Sequence, residues 1–143
     1  MAKQQRAATY DHALLLRDAG AVTASAAAQV SAAAKVLDLG AGRVAGVVML
    51  DISAMDVTSG DEKYELEAQY SNDATFATGV VVGQVAKLGD STTTGSSADS
   101  TTGRYELPVV NEINGTRYRY MRLFQRIAGT TPSINFVGYL TKW

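Results

Sequence analysis

Between Asp61 and Asp73 the chain alternates without a break. Tyr64, Leu66, Ala68 and Tyr70 fall on one side, and Lys63, Glu65, Glu67 and Gln69 on the other. A period of two is the period of a β-strand, whose successive side chains point to opposite faces. One apolar and one acidic side predict an antiparallel sheet that is covered on one face and wet on the other. Ser71-Asn72-Asp73 closes the strand with short side chains that bond back to their own backbone and turn the chain.

The same pattern recurs along the chain. Ala13–Leu16 is a short apolar run that predicts a buried or edge strand, and Ala21–Ala24 continues extended. Arg43–Met55 is apolar at almost every position, which predicts a central strand covered on both faces. Gly79–Leu88, with Val80, Val81, Val82, Val85 and Leu88, is a further strand. Gly103–Val110 alternates, and Pro108 assigns it to a sheet edge because proline cannot donate to a ladder. Asn114-Gly115 marks a tight turn. A long strand is expected over Arg117–Ile127 and a last one over Ile134–Leu140. Seven or eight short strands with turn signals between them predict an all-β fold, a single-domain antiparallel β-sandwich or jelly roll over residues 13–143.

Three segments depart from this regularity. Residues 1–12 are polar and aperiodic and are expected to form a flexible N-terminal arm. Ala24–Lys35 holds seven alanines. Alanine favours helix, yet an isolated helix of about a dozen residues is marginal in water, so the segment is read as mostly extended or looping. Residues 89–103 are rich in Ser, Thr and Gly and are expected to be a long exposed loop.

Composition narrows the chemistry. The chain has 143 residues, thirteen basic against fourteen acidic, and a formal net charge of −1. Without a basic excess the whole-chain field does not favour nucleic acid, and no direct nucleic-acid binding is expected. There is no cysteine, so disulfides, thiolate metal sites and a cysteine nucleophile are excluded. No apolar run approaches the ~20 residues that span a bilayer as a helix. The start of the chain lacks the apolar stretch of a signal peptide. A protein without membrane contact, made in a reducing cytosol, is the expectation.

Candidate catalytic groups are few. His12 has no second histidine to complete a metal site or a triad. Glu65 and Glu67 lie about 7 Å apart on one strand face. That spacing overlaps an inverting glycosidase pair, but two such residues usually serve solubility. Gly40-Ala41-Gly42-Arg43 imitates part of a phosphate loop, without the lysine or the following helix. Asp51, Asp56 and Asp61 are too far apart for a calcium loop. No cofactor is expected. Arg117–Arg126 interleaves arginines with aromatics. Read as a nucleic-acid groove, it would use Tyr118 and Tyr120 as stacking platforms. Read as a sandwich strand, it would pair its arginines with carboxylates or present them to a partner protein, and the missing basic excess favours this second reading.

Several residue groups, taken in order, give a family resemblance. They are Leu14–Ala24, Val36–Gly40, Glu65–Asp73 with Phe76, and Arg119–Phe124 followed by Ala128-Gly129. The chain resembles the jelly-roll cement, or decoration, proteins of tailed-bacteriophage capsids over most of residues 13–140. The resemblance implies a non-enzymatic virion protein that sits on the outer capsid surface as a homotrimer and bridges neighbouring major capsid proteins. Contacts to the capsid or to other subunits are then expected from residues 2–16 and 24–35, with Gln4, Gln5, Arg6, Tyr10 and His12 in the arm and Arg117 and Arg119 in the late strand. The alternative is a carbohydrate- or ligand-binding jelly roll of the discoidin type.

Overall fold

The computed structural model describes residues 10–142. Gln4, Gln5 and Arg6 lie outside the described residues. The strands are β1 (Leu15–Arg17), β2 (Ala21–Val22), β3 (Ala26–Ala27), β4 (Gln29–Val30), β5 (Ala33–Ala34), β6 (Leu37–Asp38), β7 (Ala45–Met55) and β8 (Lys63–Ser71). They continue with β9 (Val81–Gly89), β10 (Gly103–Val110), β11 (Glu112–Ile113), β12 (Thr116–Arg117), β13 (Tyr120–Ala128) and β14 (Ile134–Lys142).

Two antiparallel sheets carry the fold. The first has the order β1-β14-β7-β10, with β2 also on β14. The second has the order β3-β13-β8-β9, with β6 also on β13. The first strand lies beside the last, and the chain crosses repeatedly between the sheets, an eight-stranded jelly roll once β2 is grouped with β1 and β6 with β3. Pro108 sits on β10, at the edge of the first sheet, as its missing N–H requires.

The alternation that identifies β8 builds the core. Tyr64, Leu66, Ala68 and Tyr70 are fully buried, opposite Leu123 and Met121 of β13 and packed against Val48, Leu50, Phe136 and Leu140 of the first sheet. Burying side chains of this size contributes roughly 1.5–3 kcal/mol each. The Tyr70 ring fits because residue 83, beside it at a bulge in β9, is glycine; a Cβ there would clash with the ring. Its hydroxyl donates to Gln84 Oε1 at 2.6 Å, so the buried phenol is satisfied.

The outer face of β7 is covered as expected. Val47 and Met49 pack with Leu15 and Tyr139 into a small second apolar cluster, over which Val30 closes. Val30 comes from the alanine-rich segment, which is extended: β3 pairs with β13, and β4 and β5 form a hairpin turning through Ser31 and Ala32, both with positive φ.

Four expectations need correction. The end of the arm is docked: Tyr10 stands edge-on to Tyr139 with ring centroids 5.3 Å apart, and Asp11 caps a short 3-10 turn at His12–Leu14. The 89–103 loop is not featureless, because Asp90 is buried and caps a single helical turn at Ser91–Thr94. Thr92 and Thr93 hydroxyls tie that turn to the carbonyls of Gly60 and Glu62. The strand predicted over 117–127 breaks at Tyr118-Arg119, so Arg117 belongs to the β11–β12 hairpin, turned by Asn114 and Gly115 at positive φ. The break also shifts the phase: Tyr118 turns toward Tyr70, and beyond it Met121, Leu123 and Gln125 are the buried set. Finally, the acidic face of β8 is not simply wet, since Glu67 and Gln69 are buried.

Candidate protein-binding face

The burial of Glu67 and Gln69 follows from what lies opposite them. Antiparallel register sets Phe124 across from Glu67 and Arg122 across from Gln69, with Arg126 one pair further along. Long side chains reach diagonal neighbours across such a ladder. Arg126 Nε donates to Glu67 Oε1 at 2.8 Å and its Nη2 to Glu67 Oε2 at 3.3 Å. Gln69 Nε2 donates to Glu67 Oε2 at 2.8 Å, and Arg122 Nε to Gln69 Oε1 at 2.8 Å. One carboxylate and one amide thus anchor two guanidinium groups.

Above that layer cations and rings alternate. Arg122 Cζ lies 4.5 Å from the Phe76 ring centroid and 5.4 Å from that of Phe124, and Arg126 Cζ lies 5.2 Å from the Phe124 centroid. Cation–ring contacts of this length are attractive and strengthen as water is excluded. Phe76 reaches the stack from the turn after β8 at a cost, because its φ is 55°. Left-handed backbone at a non-glycine costs on the order of 1–3 kcal/mol and persists only when its surroundings impose it. Here the Asp73 carboxylate imposes it by accepting hydrogen bonds from Thr75, Ala77 and Thr78.

The charges are unevenly compensated. Burial penalises the ionised form of Glu67, but the hydrogen bonds from Arg126 and Gln69 and the Arg126 charge outweigh it and hold the carboxyl below its usual value. The same contact raises Arg126. Burial lowers Arg122, and no carboxylate among the described residues pairs with it. A guanidinium stays protonated regardless, so Arg122 is a partly desolvated cation without a counter-charge. Its terminal nitrogens hydrogen-bond to no described residue, and neither is sealed from solvent.

Arg119 stands at the rim of this face. Its Nε and Nη2 donate to Asp38 at 2.9 and 2.8 Å, and the hydrogen bonds pull the Asp38 carboxyl down to about 2. Arg117 is elsewhere, donating to Glu112 at 3.4 Å beside the 39–43 turn. Tyr10 and His12 lie on the outer side of the first sheet, with the Tyr10 hydroxyl 3.3 Å from His12 Nδ1. Of the contact residues that the resemblance implies and that are described here, the structure therefore brings only Arg119 to this face. It adds Glu67, Gln69, Phe76, Arg122, Phe124 and Arg126 as a unit. The signal for that unit was present in the equal parity of the polar positions on β8 and β13, once the two strands are taken as neighbours.

The catalytic candidates do not converge. Glu67 is taken by Arg126, and Glu65 bonds Lys63 at 2.6 Å. Among the described residues no three His, Asp or Glu side chains group as a metal ion would need. A shallow groove of about 470 Å³ opens at one end of the sandwich, lined by Ser71–Asp73, Thr78–Val81 and Tyr118. Asn72 there is occupied in holding the chain, accepting from Arg119 N and donating to Arg117 O. Comparison with family models, curated proteins and solved structures finds no match for this chain.

Proposed function

We propose that the protein is a non-enzymatic adhesion module that binds the outer surface of a phage head and bridges neighbouring major capsid proteins, with homotrimers as the bound form. The observation that carries this reading is the arginine–aromatic face of the second sheet. Three of the sequence groups behind the family resemblance meet there: Asp38 from Val36–Gly40, Glu67, Gln69 and Phe76 from the group that starts at Glu65, and Arg119 with Arg122 and Phe124 from the last. Such a face is rigid and held by hydrogen bonds, and arginine and aromatic residues are the types enriched where proteins meet.

Co-sedimentation with heads that lack the protein, together with light scattering on the free protein, tests the reading. Binding at saturating, repeating stoichiometry and a trimer mass are expected; no binding to any head overturns it. Removing residues 2–9, which spares the docked Tyr10, is expected to leave a folded protein that decorates poorly. Full decoration by that variant would remove the arm from the interface.

A discoidin-like ligand module is the second reading, and the groove beside Tyr118 is the observation that favours it. Saturable binding on a glycan array, lost on Tyr118→Ala with the fold intact, would displace the capsid reading.

A further inference from the structure

We propose that the outer face of the second sheet is a docking surface for an acidic segment of a partner protein, and that the Arg122 guanidinium seats one of its carboxylates. The proposal rests on the adhesion reading for the identity of the partner, but not for the chemistry of the site.

The carboxylates of this face are already engaged: Asp38 by Arg119, Glu65 by Lys63 and Glu67 by Arg126. Arg122 and Lys87 form no ion pair with a described residue, so the face is positive although the chain as a whole is not. Complementary charge is what such a patch recognises. The geometry is specific as well. Gln69 takes Arg122 Nε, and the rings of Phe76 and Phe124 lie 4.5 and 5.4 Å from its Cζ. Its two terminal nitrogens are thereby held side by side, the arrangement that receives both oxygens of a carboxylate. A carboxylate there would also supply the counter-charge that burial of Arg122 lacks.

Nucleic acid fits less well. Base stacking needs open aromatic faces, whereas Phe124 has guanidinium groups near it on Arg122 and Arg126, Phe76 is buried, and Tyr118 leans on Tyr70.

The test is fluorescence anisotropy at low salt with a labelled hexapeptide of alternating Glu and Gly, and with an oligothymidylate of equal charge. Wild type should bind the peptide saturably. Arg122→Gln should weaken it about tenfold, as expected for loss of a charge-assisted pair. Arg43→Gln, which removes an exposed arginine that forms no ion pair with a described residue, should change it less than about twofold. Equal losses in both variants, or none in Arg122→Gln, overturn the seat. Tighter binding of the oligonucleotide, lost in Arg122→Gln, replaces the protein partner with nucleic acid and also overturns it. Should the glutamine variant fail to fold, Arg122→Lys carries the test: weakening by about threefold supports the two-nitrogen seat, and wild-type affinity overturns it. Peptide binding by a protein that adheres to no head would sink the capsid reading and leave this site standing.

Discussion

The two outer faces of the sandwich solve the same problem in opposite ways. On the first sheet, Val47, Met49 and Tyr139 point outward and are apolar, and the chain covers them itself with Leu15, Val30 and Tyr10. On the second sheet the outward positions of β8 and β13 are polar and aromatic, and they cover one another: Arg126 over Glu67, Arg122 over Gln69, and rings between. The first face gains its stability by excluding water from these apolar side chains, and its Asp51 is paired with its own Arg104. The second is built of hydrogen bonds and leaves two cations, Arg122 and Lys87, without an ion pair among the described residues. Closed faces hold folds together, and open, rigid, charged ones recognise.

That contrast predicts a split between stability and binding. The largest effect on stability is expected on the closed face, where Met49→Ala should cost about 2–4 kcal/mol in urea unfolding through lost burial and a residual cavity. Peptide binding at the second sheet should be untouched. On the open face, Glu67→Ala should cost less, about 1–3 kcal/mol, because Arg126 loses its partner but stays half in water. Acid should act on this side of the molecule as well as on Asp51 of the first sheet, which Arg104 also holds below its usual value. Glu67 and Asp38 titrate below their ordinary values in the folded protein, Asp38 at about 2. Their contribution is therefore complete above about pH 5, and is lost as pH falls through the folded values. The melting temperature should be level from pH 7 to 5 and drop between about pH 4 and 2, less steeply in Asp38→Asn; a level profile down to pH 2 would contradict the assigned pairs. Tyr10→Ala should cost about 0.5–1.5 kcal/mol, the worth of one aromatic pair, and tests whether the arm's end stabilises the closed face. Arg122→Gln, which gives up the hydrogen bond to buried Gln69 and the contacts to two rings but also a partly desolvated cation, should cost about 1 kcal/mol, although it should have the largest effect on binding.

The two faces were also unequally legible in the sequence. Strand β8 could be read because its period of two is strict, and Pro108 and Asn114-Gly115 act through local backbone chemistry. The alanine-rich segment could be read as extended, but not that its hairpin would lay Val30 over Met49. Asp90-Ser-Thr-Thr carried a helix-capping pattern that low complexity masked. The open face was hidden for a different reason. Glu67 and Arg126 are 59 residues apart, and the burial of a glutamate on a polar strand face depends entirely on such a partner. The break at Tyr118-Arg119 reverses parity within an apparently continuous strand, so face assignments from spacing alone put Tyr118 on the wrong side.

The central claim is that the second sheet's outer face is the adhesive one. Side-by-side co-sedimentation of wild type, Arg122→Gln and Arg43→Gln with heads lacking the protein tests it most directly. The account predicts that wild type and Arg43→Gln pellet with the heads while Arg122→Gln stays in solution, folded and melting cooperatively. Full decoration by Arg122→Gln would contradict it.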